Sequence, residues 1–212
     1  MALRGHGEAR SARRLRLRTG GPVSLARRGR IAWRNHAAGW GLVPRLLHWL
    51  VAGLVLFLLG LGLYMGGVED VFRQFELFQL HKSVGVVVWL LMLLRLGWRL
   101  RDPPPPSLPA RAWEHRLARL VHGLFYVVLL VMPITGYLMA SASTLEIPTR
   151  IFGLVELPHL LSPSERLETV FYTLHQWLGW LLMLGIALHL GGALKHHVID
   201  RDATLRRMLI GR

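Results

Sequence analysis

The 212-residue chain contains no cysteine. That absence excludes disulfides, covalent haem attachment through a C-x-x-C-H motif and iron–sulfur clusters held by thiolates. Acid is scarce as well: 12 Asp and Glu stand against 26 Lys and Arg, for a formal net charge of +14. No acid falls within the four long apolar stretches of the chain, which argues against a proton relay through membrane carboxylates. The first 40 residues are rich in arginine, hold one acid, Glu8, and lack the apolar run of a secretory signal. Residues 1–40 therefore read as a basic, disordered cytoplasmic tail ahead of a membrane domain over residues 41–212.

Apolar surface is what the chain has in excess, with 52% hydrophobic residues and a mean hydropathy of +0.37. Four windows, residues 46–65, 80–100, 117–140 and 170–194, are each about 20 residues or longer, enough to cross roughly 30 Å of hydrocarbon. Nothing in hydrocarbon satisfies an open backbone, so each must be a helix. The expected fold is all-α, an integral membrane four-helix bundle. Its connections are a short loop at 66–79, a strap at 101–114 and a long loop at 141–169. The strap is stiffened by the run Pro103 to Pro106, and the long loop can cap one end of the bundle. Pro133 and Gly136 predict a kink in the third helix.

Charge orients the bundle. Twenty-two of the 26 basic residues lie before His48, between Arg95 and Arg119, or after Leu194. The opposite side carries Arg73, Lys82, Arg150 and Arg166 against seven acids. Basic loops stay inside, so both termini are expected in the cytoplasm. The partner of the basic face is the anionic inner leaflet of the bilayer rather than nucleic acid.

Four histidines, His48, His81, His175 and His189, sit in these apolar stretches, where an ionisable side chain needs a reason. His175 and His189 are fourteen residues apart on one helix, roughly 21 Å in rise and about 40° in rotation. They present two imidazoles on one face at two depths. His48 lies near the inner end of the first helix and His81 near the outer end of the second. Depth pairs His48 with His189 and His81 with His175.

The residues four ahead of these histidines are Ala52, Gly85, Gly179 and Ala193, all small and on the same helix face. They leave room for a flat macrocycle. His115 and His122 are followed at that spacing by Arg119 and Tyr126 and lack such room. A histidine in a membrane helix is commonly an interhelical hydrogen-bond donor, but four at matched depths favour ligation. Zinc would find only two protein ligands per pair, too few for a tetrahedral site. Haem iron needs just two axial ligands. Two haems stacked between helices one, two and four fit the pattern.

The carrying segments are Arg45-Leu-Leu-His48-Trp49, Leu80-His81-Lys-Ser-Val-Gly85, Met132-Pro133-Ile-Thr-Gly136-Tyr, Leu174-His175-Gln-Trp-Leu-Gly179, Ala187-Leu-His189 and the tail from His196-His197 to Arg207-Met208. Together they resemble the bacterial cytochrome b561 family, over everything but the N-terminal tail. The resemblance implies a di-haem b cytochrome of the inner membrane, with non-covalent bis-histidine haems on His48, His81, His175 and His189. It further implies an electron-transfer oxidoreductase that passes electrons from an external one-electron donor, as superoxide in one branch, to ubiquinone. Lys82, Arg73 and Arg150 are candidates to attract an anionic donor, and His196 or His197 to hydrogen-bond a quinone. The alternative is a cytochrome b subunit that anchors a hydrogenase- or dehydrogenase-type complex and relays its electrons.

Overall fold

The computed structural model describes residues 32–211; the basic segment ahead of them lies outside the described residues. Four long helices dominate: α1 (Leu42–Met65), α2 (Val71–Arg101), α3 (Ala112–Ala142) and α4 (Glu165–Leu194). Each carries a window long and apolar enough to cross a membrane, and only 17 to 22% of each window is buried. Many of the remaining apolar side chains face outward, as they must where the solvent is lipid. A short antiparallel hairpin, β1 (Thr149–Ile151) and β2 (Val155–Leu157), lies between α3 and α4. A single π-helical turn (Lys195–Ile199) and α5 (Thr204–Ile210) close the chain.

The helices run further than their apolar windows. The α2 helix starts at Val71, because the Asp70 carboxylate caps it by accepting from the Arg73 N–H at 2.9 Å. The loop expected at 66–79 is therefore only a tight turn at 66–70. The α4 helix likewise starts at Glu165, capped by Ser164, with Glu165 and Glu168 in the first turn where the helix dipole favours acid. At the start of α3, Glu114 reaches back to the Arg111 N–H at 2.8 Å. The α3 helix continues through Pro133.

The tightest interior is a cluster of Val51, Val55, Val88, Met92, Val128, Leu129 and Leu182, drawn from all four helices. Leu182 is midway between His175 and His189, so this apolar plug lies between the two histidine levels. The α3 helix packs closely on α4, and α1 on α2, with α2 also against α3. Neither α1 with α4 nor α2 with α4 is a closely packed pair. The helices that carry facing histidines thus hold their backbones apart.

Both ends of the bundle are tied. At the end that carries the hairpin, Ser83 is almost fully buried beneath it and accepts from the Phe152 N–H at 2.9 Å. Gln79 donates to the Pro148 carbonyl at 2.8 Å and accepts from the Arg150 N–H at 3.2 Å. Those bonds hold Phe152 at a φ of 49°, left-handed backbone that an L side chain adopts at a cost. The long loop is thus a cap docked on α2.

At the opposite end, Arg207 is buried and donates to the carbonyls of Ala37, Ala38 and Pro106 at 2.8 to 3.0 Å. Arg45 and Trp49 donate to the Met208 carbonyl, and Arg45 also to that of Leu209. Asn35 adds bonds from its backbone and side chain to Asp102 and Pro103. Residues 32–40, grouped with the tail on composition, are therefore bound to the helical domain, whose ordered contacts begin ahead of residue 41.

Candidate functional site

The four apolar histidines meet in two pairs. His48 of α1 and His189 of α4 have ring centroids 6.1 Å apart with planes at 67°. His81 of α2 and His175 of α4 have centroids 6.3 Å apart with planes at 68°. These are the pairs that depth along the helices assigns. All four rings are half-buried.

The separations bear on what can lie between the rings. An imidazole bound at about 2.0 Å has its ring centre about 3.1 Å from the metal, so two trans ligands place their centroids about 6.2 Å apart. Both pairs meet that value. The donor set suits haem iron, which takes two neutral imidazoles and brings four nitrogens of its own. The Nδ1 atom of His81 is buried and has no hydrogen-bond partner, an expensive state for a polar atom that serves only packing. The residues present fit a b haem at each level.

His175 is positioned by α3. Its Nδ1 lies 3.1 Å from the Met132 carbonyl oxygen and 3.1 Å from Thr135 Oγ1, and Thr135 is itself bonded to Met132 at 2.7 Å. An Nδ1–H held by a carbonyl leaves Nε2 as the free lone pair. Gly136 permits the approach, since a Cβ there would lie 3.1 Å from His175 Cε1. Gly62 of α1 borders His81 less tightly: a Cβ there would stand 3.5 Å from Cε1, in ordinary contact. Beside Gly85 there is open space, and Gly179 has only Met132 Cε at 3.5 Å. Thr135 and Gly62 escape a search for histidines with small neighbours, because they act across helices. The Met-Pro-Ile-Thr-Gly run at the former was the available signal.

A third imidazole joins the inner level. His122 of α3 has its centroid 5.4 Å from that of His189, shorter than two trans ligands require, and Phe125 packs edge-on to His189 at 5.6 Å. Arg95 of α2 reaches the same group, with Nη1 3.2 Å from His48 Nδ1.

The residues expected to meet substrates are dispersed. Lys82 is half-buried under the hairpin, 3.3 Å from Thr149 Oγ1. Arg150 is exposed and paired with Glu156 at 3.1 Å, so its charge is partly compensated. Arg73 is exposed at the start of α2. His196 lies in the π-helical turn, with Nδ1 2.8 Å from Asp202 and 3.1 Å from Asp200. Lys195 bridges Glu114 at 2.8 Å and Asp200 at 2.6 Å. Burial alone would push the Asp202 carboxyl up. Hydrogen bonds from Thr204 and His196 outweigh it and hold that carboxyl below its usual range.

Comparison with known proteins points the same way. The family model of prokaryotic cytochrome b561 matches residues 39–211. Cytochrome b561 homolog 2 of Escherichia coli (strain K12) is 33% identical over 181 residues, covering 84% of this chain and 95% of that protein. Cytochrome b561 homolog 1 of the same organism is 33% identical over 137 residues, 61% of this chain and 72% of the relative. A protein of Yersinia pestis named probable superoxide oxidase CybB is 29% identical over 168 residues, 77% and 91% of the two chains.

Proposed function

This chain belongs to the prokaryotic cytochrome b561 family, a family of haem-binding membrane electron-transfer proteins, and from that premise we propose that it carries two b haems. His48 and His189 hold the inner one, His81 and His175 the outer. The observation that carries the proposal is the pair of imidazole separations, 6.1 and 6.3 Å, at two levels roughly 21 Å apart along α4.

When bound, each haem supplies a one-electron iron couple. The chain's own residues do the rest. The four imidazoles would hold the iron of the two groups, and Met132 and Thr135 fix the ring of His175. The plug of Val51, Val55, Val88 and Leu182 keeps the interval between the levels dry. A dry interval limits solvent reorganisation and side reactions. The bundle lies in the inner membrane with both termini in the cytoplasm, on the distribution of basic residues.

The proposed reaction moves single electrons from a donor at the outer face to ubiquinone. Superoxide is the favoured donor, on the name of the Yersinia pestis relative and the cations Lys82 and Arg73 at the outer mouth. His196 and His197, at the inner end of α4, are the candidates to meet a quinone; with His196 Nδ1 donating to Asp202, its Nε2 is the lone pair that accepts from a quinol hydroxyl. The protons that a reduced quinone takes up are drawn from the water at that face.

Purified, haem-loaded protein mixed with a superoxide source should show haem reduction, followed by reoxidation on adding ubiquinone. No reduction by superoxide, together with co-purification of a stoichiometric dehydrogenase or hydrogenase, would replace this with the anchoring-subunit reading.

A further inference from the structure

Two arginines at the inner end of α2 are left over by the histidine pairs. Arg95 and Arg99 are four residues apart and so share a helix face. Arg95 is half-buried, and its sole hydrogen-bond partner among the described residues is His48 Nδ1, at 3.2 Å. The Arg99 guanidinium lies over the Tyr126 ring, 5.8 Å from its centroid. Ion pairs among the described residues involve Arg150, Lys195 and His196, never Arg95 or Arg99. The carboxylate in their own cleft, Asp102, is engaged by the Asn35 N–H at 3.0 Å and by Trp98 Nε1 at 3.1 Å. The two arginines line a small cleft with Pro44, Leu47 and Tyr126.

A guanidinium at membrane depth is costly without an anion, and a neutral imidazole is not one. The contact with His48 also has a direction. Arginine has no lone pair to offer, so Nη1 donates to Nδ1, and the proton of the imidazole then sits on Nε2. Ligation through Nε2 needs the reverse arrangement. Arg95 must therefore have another partner whenever His48 is a ligand through that atom.

We infer that Arg95, with Arg99 beside it, binds the carboxylates of the inner haem. The inference rests on the assignment of a b haem to His48 and His189. A b haem carries two propionate groups, and a guanidinium fork is matched to a carboxylate in a bidentate pair. That pair neutralises the cation, turns the charged edge of the macrocycle toward the basic inner face and releases His48 Nδ1. Arg95 is thus a cofactor-positioning residue, and its position on α2 gives that helix a hold on the inner haem in addition to its outer ligand, His81.

The test uses full-length, haem-loaded protein and the variants Arg95→Gln and Arg95→Lys. Haem content and low-spin spectra come first: if the unaltered protein lacks two bis-histidine haems, the underlying assignment fails, not this inference alone. Given two haems, Arg95→Gln should shift the propionate bending vibration of one haem in the resonance Raman spectrum. It should lower the midpoint potential of that haem, because a cation beside it is gone. Transfer of that haem to an apo-globin acceptor should become 10- to 100-fold faster on the order of magnitude of a charged hydrogen bond. Arg95→Lys should restore most of the potential but not the vibration. Unchanged vibration and unchanged haem loss in Arg95→Gln, with both haems present, would overturn the inference. Where Arg95→Gln does not accumulate, Arg95→Lys decides: two haems with an unshifted propionate vibration would overturn it.

Discussion

His175 shows how much of the site rests on single atoms from a neighbouring helix. Its Nδ1 is 3.1 Å from both Met132 O and Thr135 Oγ1, and its ring passes over a glycine that leaves no spare volume. Thr135→Val removes one of the two groups on Nδ1 while keeping the shape. The outer haem should stay bound but with about 10-fold weaker affinity and a raised potential, as a less basic imidazole favours the reduced iron; redox titration would show it. Gly136→Val places methyl groups where even a Cβ would be 3.1 Å from His175 Cε1. It should displace the imidazole and empty the outer site while the inner haem remains, read by haem content per chain. The facing histidine pairs and their small i+4 neighbours were legible in the sequence, because each histidine and its neighbour lie on one helix and obey its 3.6-residue period. Thr135 and Gly62 were not, since their contacts cross from one helix to another and no local period encodes them.

Among the elements, hydropathy located the four spans but misplaced their ends. The first turns of α2 alternate Phe72, Phe75 and Phe78 with Arg73, Gln74 and Glu76, so an averaging window falls below the level of a span while the helix, capped by Asp70, is already running. The closing α5 has a second hidden feature. Arg207 holds three backbone carbonyls from two separate segments, and backbone acceptors leave no signature in side-chain sequence. Arg207→Leu strips those carbonyls of their donor and should cost on the order of 3 kcal/mol. A fall of several degrees in Tm in detergent and faster proteolysis at α5 would register it. An unchanged Tm would show that the inner clasp is not a source of stability.

For the molecule as a whole, two histidine levels separated by an apolar plug are held in one bundle of four helices, and α4, with a histidine at each level, sets the interval. Helix α3 supplies no ligand in this account. It closes the bundle, positions His175 and brings His122 within 5.4 Å of His189, too near for a trans pair. His122→Ala should therefore retain two low-spin haems. Ala193→Phe should expel or distort the inner haem although every ligand remains, because the ring needs the space beside His189. Loss of a haem in the first variant and none in the second would reverse the roles given to α3 and to the small neighbours.

The central claim is the pairing, and haem stoichiometry with electron paramagnetic resonance on His175→Ala and His189→Ala addresses it most directly. Two low-spin haems per unaltered chain and one in each variant are expected, with the surviving signal different in the two. Two low-spin haems per chain in either variant, or the same surviving signal in both, would contradict it.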